Sequence, residues 1–185
     1  MLSQEFLTEY NEITLIERKN SLLEDEGTRG NNGALFMGRF SPPTKAHMKI
    51  IDDASKKYDT VTLNIVKSGK VNSENPFPLE LQISMWQNVF PNLEIQLSKT
   101  GYLPAIIEEA VNNIRVVLAG SDRKASYEKQ LEKMPEVHVE EIPRTGEDIS
   151  ASKVRQALID DDVETFKQMM HPGTYEFYNE LKQFV

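Results

Sequence analysis

The sequence predicts an α/β protein: a parallel sheet with helices on both faces, extended by an N-terminal arm and by helices at the C-terminus. Three observations predict it. From Ala34 onward, apolar runs of strand length alternate with segments of helical periodicity, as parallel strands and their covering helices require. Thr60 to Val66 is rich in β-branched residues and has a period of two, which suits a pleated strand. The length of 185 residues suffices for one well-buried domain of this class and is too short for two.

Residues 1–33 read as a separate segment. Phe6, Tyr10 and Ile13 are spaced for one helix face, and 24–33 (EDEGTRGNNG) has the composition of a flexible linker. The arm either serves oligomerisation or attachment to a larger assembly, or folds back on its own domain. The domain proper is then 34–185. Its first strand opens at Ala34 and ends at Gly38, and Pro42 and Pro43 hold the chain out of the α region until about Thr44. A helix follows, with His47, Ile51, Ala54 and Tyr58 along its inner face. Further strands are expected over 60–66, 93–97, 115–119 and 136–142, and helices over 78–90, 104–112, 123–133, 150–160, 163–170 and 174–184. Ligands bind outside the carboxyl ends of parallel strands, so the loops after Phe40, Val66, Ala119 and Ile142 should share one mouth.

Charge and composition narrow the partners. With 21 basic and 29 acidic residues the net charge is −8, which argues against nucleic acid or an anionic membrane as the main partner. There is no cysteine, no apolar run of transmembrane length and no basic-plus-apolar leader, so a soluble intracellular, cytoplasmic protein is expected. His138 and His171 have no ligand-like neighbours in sequence, and no metal site is expected from protein residues alone. Lys67 and Lys70 follow the second strand and are within reach of a substrate phosphate, or are simply solvated.

Chemistry concentrates in two loops. A helix opening directly off a strand presents N–H groups and a positive dipole end to an anion. His47 in the first turn can add a hydrogen bond or a charge to the same phosphate, although a histidine on an inner helix face is equally compatible with core packing. In 149–155 (ISASKVR), Asp148 or Ser150 can cap a helix, two hydroxyls can meet phosphate oxygens, and Arg155 brings a planar fork suited to phosphate. Between them, Gly120, Ser121, Asp122 and Arg123 end a strand with groups that can bind ribose or substrate, or that cap the next helix. Trp86 is either core or a stacking platform.

The run 38–47 (GRFSPPTKAH) resembles the signature of the nucleotidyltransferase superfamily, in which an H-x-G-H or T-x-x-H element follows a G-x-F-x-P stretch. It is similar in particular to the G-R-F-x-P form of archaeal-type nicotinamide-mononucleotide adenylyltransferases and small phage relatives. The run 149–155 is similar to the I-S-S-T-x-x-R motif of the same superfamily, and 75–85 (NPFPLELQISM) to an N-P-F-x-x-x-x-R-x-x-M stretch. Thr44 stands at the family's first histidine, Ala46 at its glycine and Gln82 at a frequent arginine. The resemblance covers about 34–157. It implies a Rossmann-like fold and transfer of a nucleotidyl group to a phosphorylated small molecule, with release of pyrophosphate.

On that resemblance His47, Arg155 and Thr44 would be catalytic, acting on the phosphates. Gly38, Arg39, Phe40, Ser150, Ser152, Gly120 and Asp122 would bind the nucleotide, and Mg2+ would arrive with it. The best-fitting reaction moves AMP from ATP to nicotinamide mononucleotide. The alternatives are a cytidylyltransferase using CTP and an alcohol phosphate, and a nucleotide-binding structural module whose catalysis has decayed.

Overall fold

The strand that starts the sheet is apolar because both its faces are covered. β1 (Gly33–Gly38) buries Ala34 and Phe36 on one side and Leu35 on the other. It begins one residue before the expected Ala34. The Gly33 N–H donates to the Asn113 carbonyl at 3.1 Å, and a Cβ at Gly33 would lie 2.6 Å from that same oxygen, so only glycine fits there. The structure is a computed structural model describing residues 32–67, 72–143 and 149–185. Residues 1–31 of the expected arm over 1–33, together with Lys70 and Asp148, lie outside the described residues.

After β1 come α1 (Lys45–Lys57), β2 (Thr60–Val66), α2 (Leu79–Val89), β3 (Glu94–Ser98), α3 (Leu103–Glu109), β4 (Ile114–Ala119), α4 (Ser121–Gln130) and β5 (His138–Glu141). All five strands are parallel, in the order β3-β2-β1-β4-β5. This is a Rossmann-like sheet. The chain winds outward from β1 to β3, crosses over and winds outward again from β4, so the order reverses between β1 and β4, where ligands of such sheets sit. α1 and α2 cover one face through Met48, Ile51, Ala54, Ile83 and Trp86, and α3 and α4 the other through Leu103, Ile106, Tyr127 and Leu131. Right-handed crossovers require that division.

A second helical layer lies outside α2. α5 (Ala151–Ile159), α6 (Val163–Met169) and α7 (Tyr178–Lys182) pack Val154, Leu158, Phe166 and Leu181 with Leu81 and Met85 of α2. The helix expected over 174–184 is instead a 3-10 segment, Pro172–Phe177, running into α7. His171 caps that segment by accepting the Gly173 N–H on Nδ1, with Pro172 at the first position. Three other expectations shift for local reasons. α3 stops at Glu109 because Ala110 is extended. α4 starts at Ser121 and ends at Gln130, and the strand expected over 136–142 narrows to His138–Glu141 behind a turn from Met134 to Val137. Trp86 is wholly buried and belongs to the core. Among the described residues no helix is long and apolar enough to cross a membrane.

Candidate functional site

The turn after β1 is built around the Phe40 ring. Phe40 adopts a left-handed backbone with φ 50°, a region that costs a residue bearing a Cβ about 1–2 kcal/mol. Its ring is 5% exposed, and burying a phenyl group contributes about 1.5–3 kcal/mol, so packing outweighs the backbone cost. The ring folds back over Gly38, where a Cβ would meet it at 2.7 Å. It stands edge-to-face to Trp86 at 5.3 Å and to His47 at 5.2 Å. Arg39, beside it, is exposed.

Thr44 and His47 close the turn onto α1 as a reciprocal capping box. The Thr44 hydroxyl accepts the His47 N–H, and His47 Nδ1 accepts the Thr44 N–H at 3.1 Å. The Thr44 hydroxyl also meets Nδ1 at 3.1 Å. A ring nitrogen that accepts a backbone N–H cannot carry a proton, so the neutral imidazole holds its proton on Nε2. Desolvation lowers the His47 pKa from 6.5 to about 4, although part of the residue's surface stays open. His47 is thus a hydrogen-bond donor at neutral pH. Of the two roles open to a histidine here, a hydrogen bond or a charge to a phosphate, this burial favours the hydrogen bond. Thr44 is 1% exposed and its hydroxyl is engaged in holding the histidine.

The second motif reaches the first through one side chain. Arg155 Nη1 donates to the Ser41 carbonyl at 2.7 Å, and Nη2 donates to Ser152 Oγ at 3.1 Å. Ser150 caps α5 by accepting the Lys153 N–H at 3.2 Å. Arg155 is partly buried, which lowers its pKa, while Glu74 opposes the shift. Two helix starts and a guanidinium therefore meet at the carboxyl end of β1. Gly120 caps α4 with its backbone alone, so neither Ser121 nor Asp122 is the cap. Asp122 is exposed, and its Oδ1 would lie 2.8 Å from a Cβ at Gly120.

Gly120, Ala46 and Ile149 border one cavity of about 600 Å³, which continues along α1 past Ile50 and Ala54 over Phe36, Leu118 and Ile142. Its size falls within the usual range for small-molecule sites. The Lys57–Glu140 and Tyr58–Glu140 contacts lie at its far side. Gly120 and Pro143 in its lining belong to loops that the sequence placed at one mouth; sequence reasoning missed the cavity's run along α1, and it missed Ser41, whose carbonyl anchors Arg155. The apolar Pro42 and Pro43 beside it are the sequence signal that the turn faces inward, and both are buried. Lys67 is engaged through its backbone, donating to the Ser98 carbonyl at 2.8 Å.

A phosphopantetheine adenylyltransferase of Burkholderia cenocepacia is 28% identical over 103 residues, 54% of this chain and 59% of the relative. The chain therefore matches little more than half of that relative's length. A bifunctional NMN adenylyltransferase/ADP ribose pyrophosphatase from Francisella tularensis superposes with a TM-score of 0.67 at 21% identity, over 83% of this chain and 52% of that one. A nicotinic acid mononucleotide adenylyltransferase of Plasmodium falciparum, complexed with APC, gives 0.58 at 19% identity over 84% and 98%. At these identities the two superpositions speak for the fold. The sequence model of the cytidylyltransferase-like family matches residues 35–157, a span that runs from β1 through the whole sheet to α5 and includes both motifs, and the chain belongs to that family.

Proposed function

We propose that this chain is an adenylyltransferase: it transfers AMP from ATP to the phosphate of a cofactor precursor, with release of pyrophosphate. One observation carries the reading. The Arg155 to Ser41 hydrogen bond draws the α5 motif onto the turn before α1, beside a cavity large enough for a nucleoside. ATP is favoured over CTP because the similar proteins are adenylyltransferases. Nicotinamide mononucleotide, nicotinate mononucleotide and phosphopantetheine are the acceptors to test, for the same reason.

The chemistry asks for positioning and charge stabilisation rather than for a nucleophile on the protein. An ionised acceptor phosphate oxygen attacks the α-phosphorus in line. A new phosphoanhydride bond forms while the bond to the bridging oxygen breaks, and pyrophosphate leaves with that electron pair. His47 donates from Nε2 to the α-phosphate as charge builds there, without having to lose its own proton. Arg155, with the hydroxyls of Ser150 and Ser152, holds the leaving phosphates. The first-turn amides of α1 and the backbone of 38–40 face the nucleotide, with Gly120 and Asp122 toward the ribose. Thr44 keeps His47 in register.

Among the described residues no group of three His, Asp or Glu converges on a metal position. Mg2+ would arrive with the nucleoside triphosphate, held mainly by its phosphates, and would neutralise phosphate charge there.

The test is pyrophosphate release with Mg2+ and ATP or CTP against the three acceptors. Release with ATP and one acceptor is expected. His47→Gln keeps an acceptor for the Thr44 N–H yet should lower kcat by about 10²–10³, the usual loss of one transition-state donor. Release with CTP alone would redirect the reading to a cytidylyltransferase. Binding of ATP without release for any acceptor would favour the decayed module.

A further inference from the structure

We propose that Phe40 is a positioning residue for His47: its ring, set edge-on by the left-handed turn, covers one side of the imidazole and so keeps His47 a neutral Nε2–H donor rather than a cation. The geometry is specific. The ring lies 5.2 Å from the imidazole at an interplanar angle of 80°, with Phe36 on a further side at 6.3 Å. It is braced behind by Trp86 at 5.3 Å and 83° and from below by Gly38, where no Cβ fits. An aromatic residue at φ 50° is uncommon, and such strained positions persist only when their surroundings fix them. Here what the strain delivers is one ring against one histidine.

Among the described residues, burial is the cause that acts on the protonation state. Desolvation is the cause of the His47 shift, without an ionic contribution. In the turn and along α1 the ionisable neighbours are Arg39, Lys45, Lys49 and Asp53, the last two paired at 2.6 Å. From α5, Arg155 is directed to Ser41 and Ser152, with Glu74 acting on Arg155. β1 contributes Phe36 against the imidazole, and α2 contributes Trp86 behind the Phe40 ring. A neutral donor suits a site that must give a hydrogen bond to a phosphate across a broad pH range. The catalytic meaning rests on the proposed transfer reaction, whereas the titration does not.

The experiment is an NMR titration of imidazole signals in the full chain. Only three histidines are present, and His47→Gln assigns the signal of interest by its loss. Phe40→Asn tolerates a left-handed backbone and exposes the imidazole, so the His47 midpoint should rise by more than one unit toward 6.5. Phe40→Leu keeps an apolar side chain and should leave the midpoint low. Gly38→Ala, which displaces the ring without altering Phe40 itself, should raise it, and decides the matter if Phe40→Asn fails to fold. In the transfer assay, kcat/KM of Phe40→Asn should acquire a limb near about pH 6 that the parent lacks. A His47 midpoint near 6.5 in the parent, or one unmoved in folded Phe40→Asn or in Gly38→Ala, would overturn the proposal. Absence of transfer in the parent would overturn the function reading and leave the titration standing.

Discussion

Acidification should weaken this fold through one histidine, and the size of the loss follows from its pKa. His47 has a folded pKa of about 4 against an ordinary value of 6.5. Above 6.5 both folded and unfolded chains carry the neutral ring, and the group contributes nothing to the pH dependence. As pH falls through 6.5 the unfolded chain gains a proton that the folded one refuses, so stability declines until the folded ring also protonates near 4. Linkage gives a loss of about 2 kcal/mol at pH 5 and about 3 kcal/mol at pH 4. The assay is urea unfolding from pH 7 down to pH 4 on the parent and on His47→Gln. The variant retains the capping-box acceptor but has nothing to titrate. The difference between the two curves isolates the histidine from all carboxylates. Parallel curves would show that His47 titrates normally and would refute the buried-donor account.

Two other expectations concern single contacts. Arg155→Lys replaces a fork that spans Ser41 O and Ser152 Oγ with a point donor. It should weaken apparent ATP affinity about tenfold to a hundredfold, consistent with losing one or two charge-assisted bonds. Steady-state kinetics would register this in KM more than in kcat. Gly33→Ala forces a methyl group to within 2.6 Å of the Asn113 carbonyl, between β1 and the start of β4. Thermal unfolding should show a loss of about 1–3 kcal/mol, as overpacking typically costs.

Much of this architecture was legible in the sequence because parallel strands advertise themselves. β1, β2 and β4 lie within one residue of their expected bounds, since central parallel strands select strand-length runs rich in apolar and β-branched residues. The last segment was not legible. A periodic pattern over 174–184 fits an α-helix, but Pro172 and the His171 cap set a tighter 3-10 start that no periodicity reports. At the site, the helix start at Thr44 and the capping role of Ser150 could be read from residue type and spacing. The contact between Arg155 and Ser41 spans 114 positions and involves a backbone carbonyl, an atom every residue carries, so no pattern could single it out. The neutral state of His47 was hidden for a related reason: it depends on the rings of Phe36 and Phe40 closing around it, which is a property of packing.

The central claim is transfer of a nucleotidyl group, and isotope position tests it most directly. ATP labelled at the α-phosphorus or at the γ-phosphorus would be incubated separately with Mg2+, the chain and each acceptor, and the product resolved from nucleotide. The account predicts that α label enters the product with one acceptor, that γ label leaves only in pyrophosphate, and that His47→Gln suppresses both. Label from the γ position in the product would mean phosphoryl transfer, and would contradict the assignment of His47 and Arg155 made above.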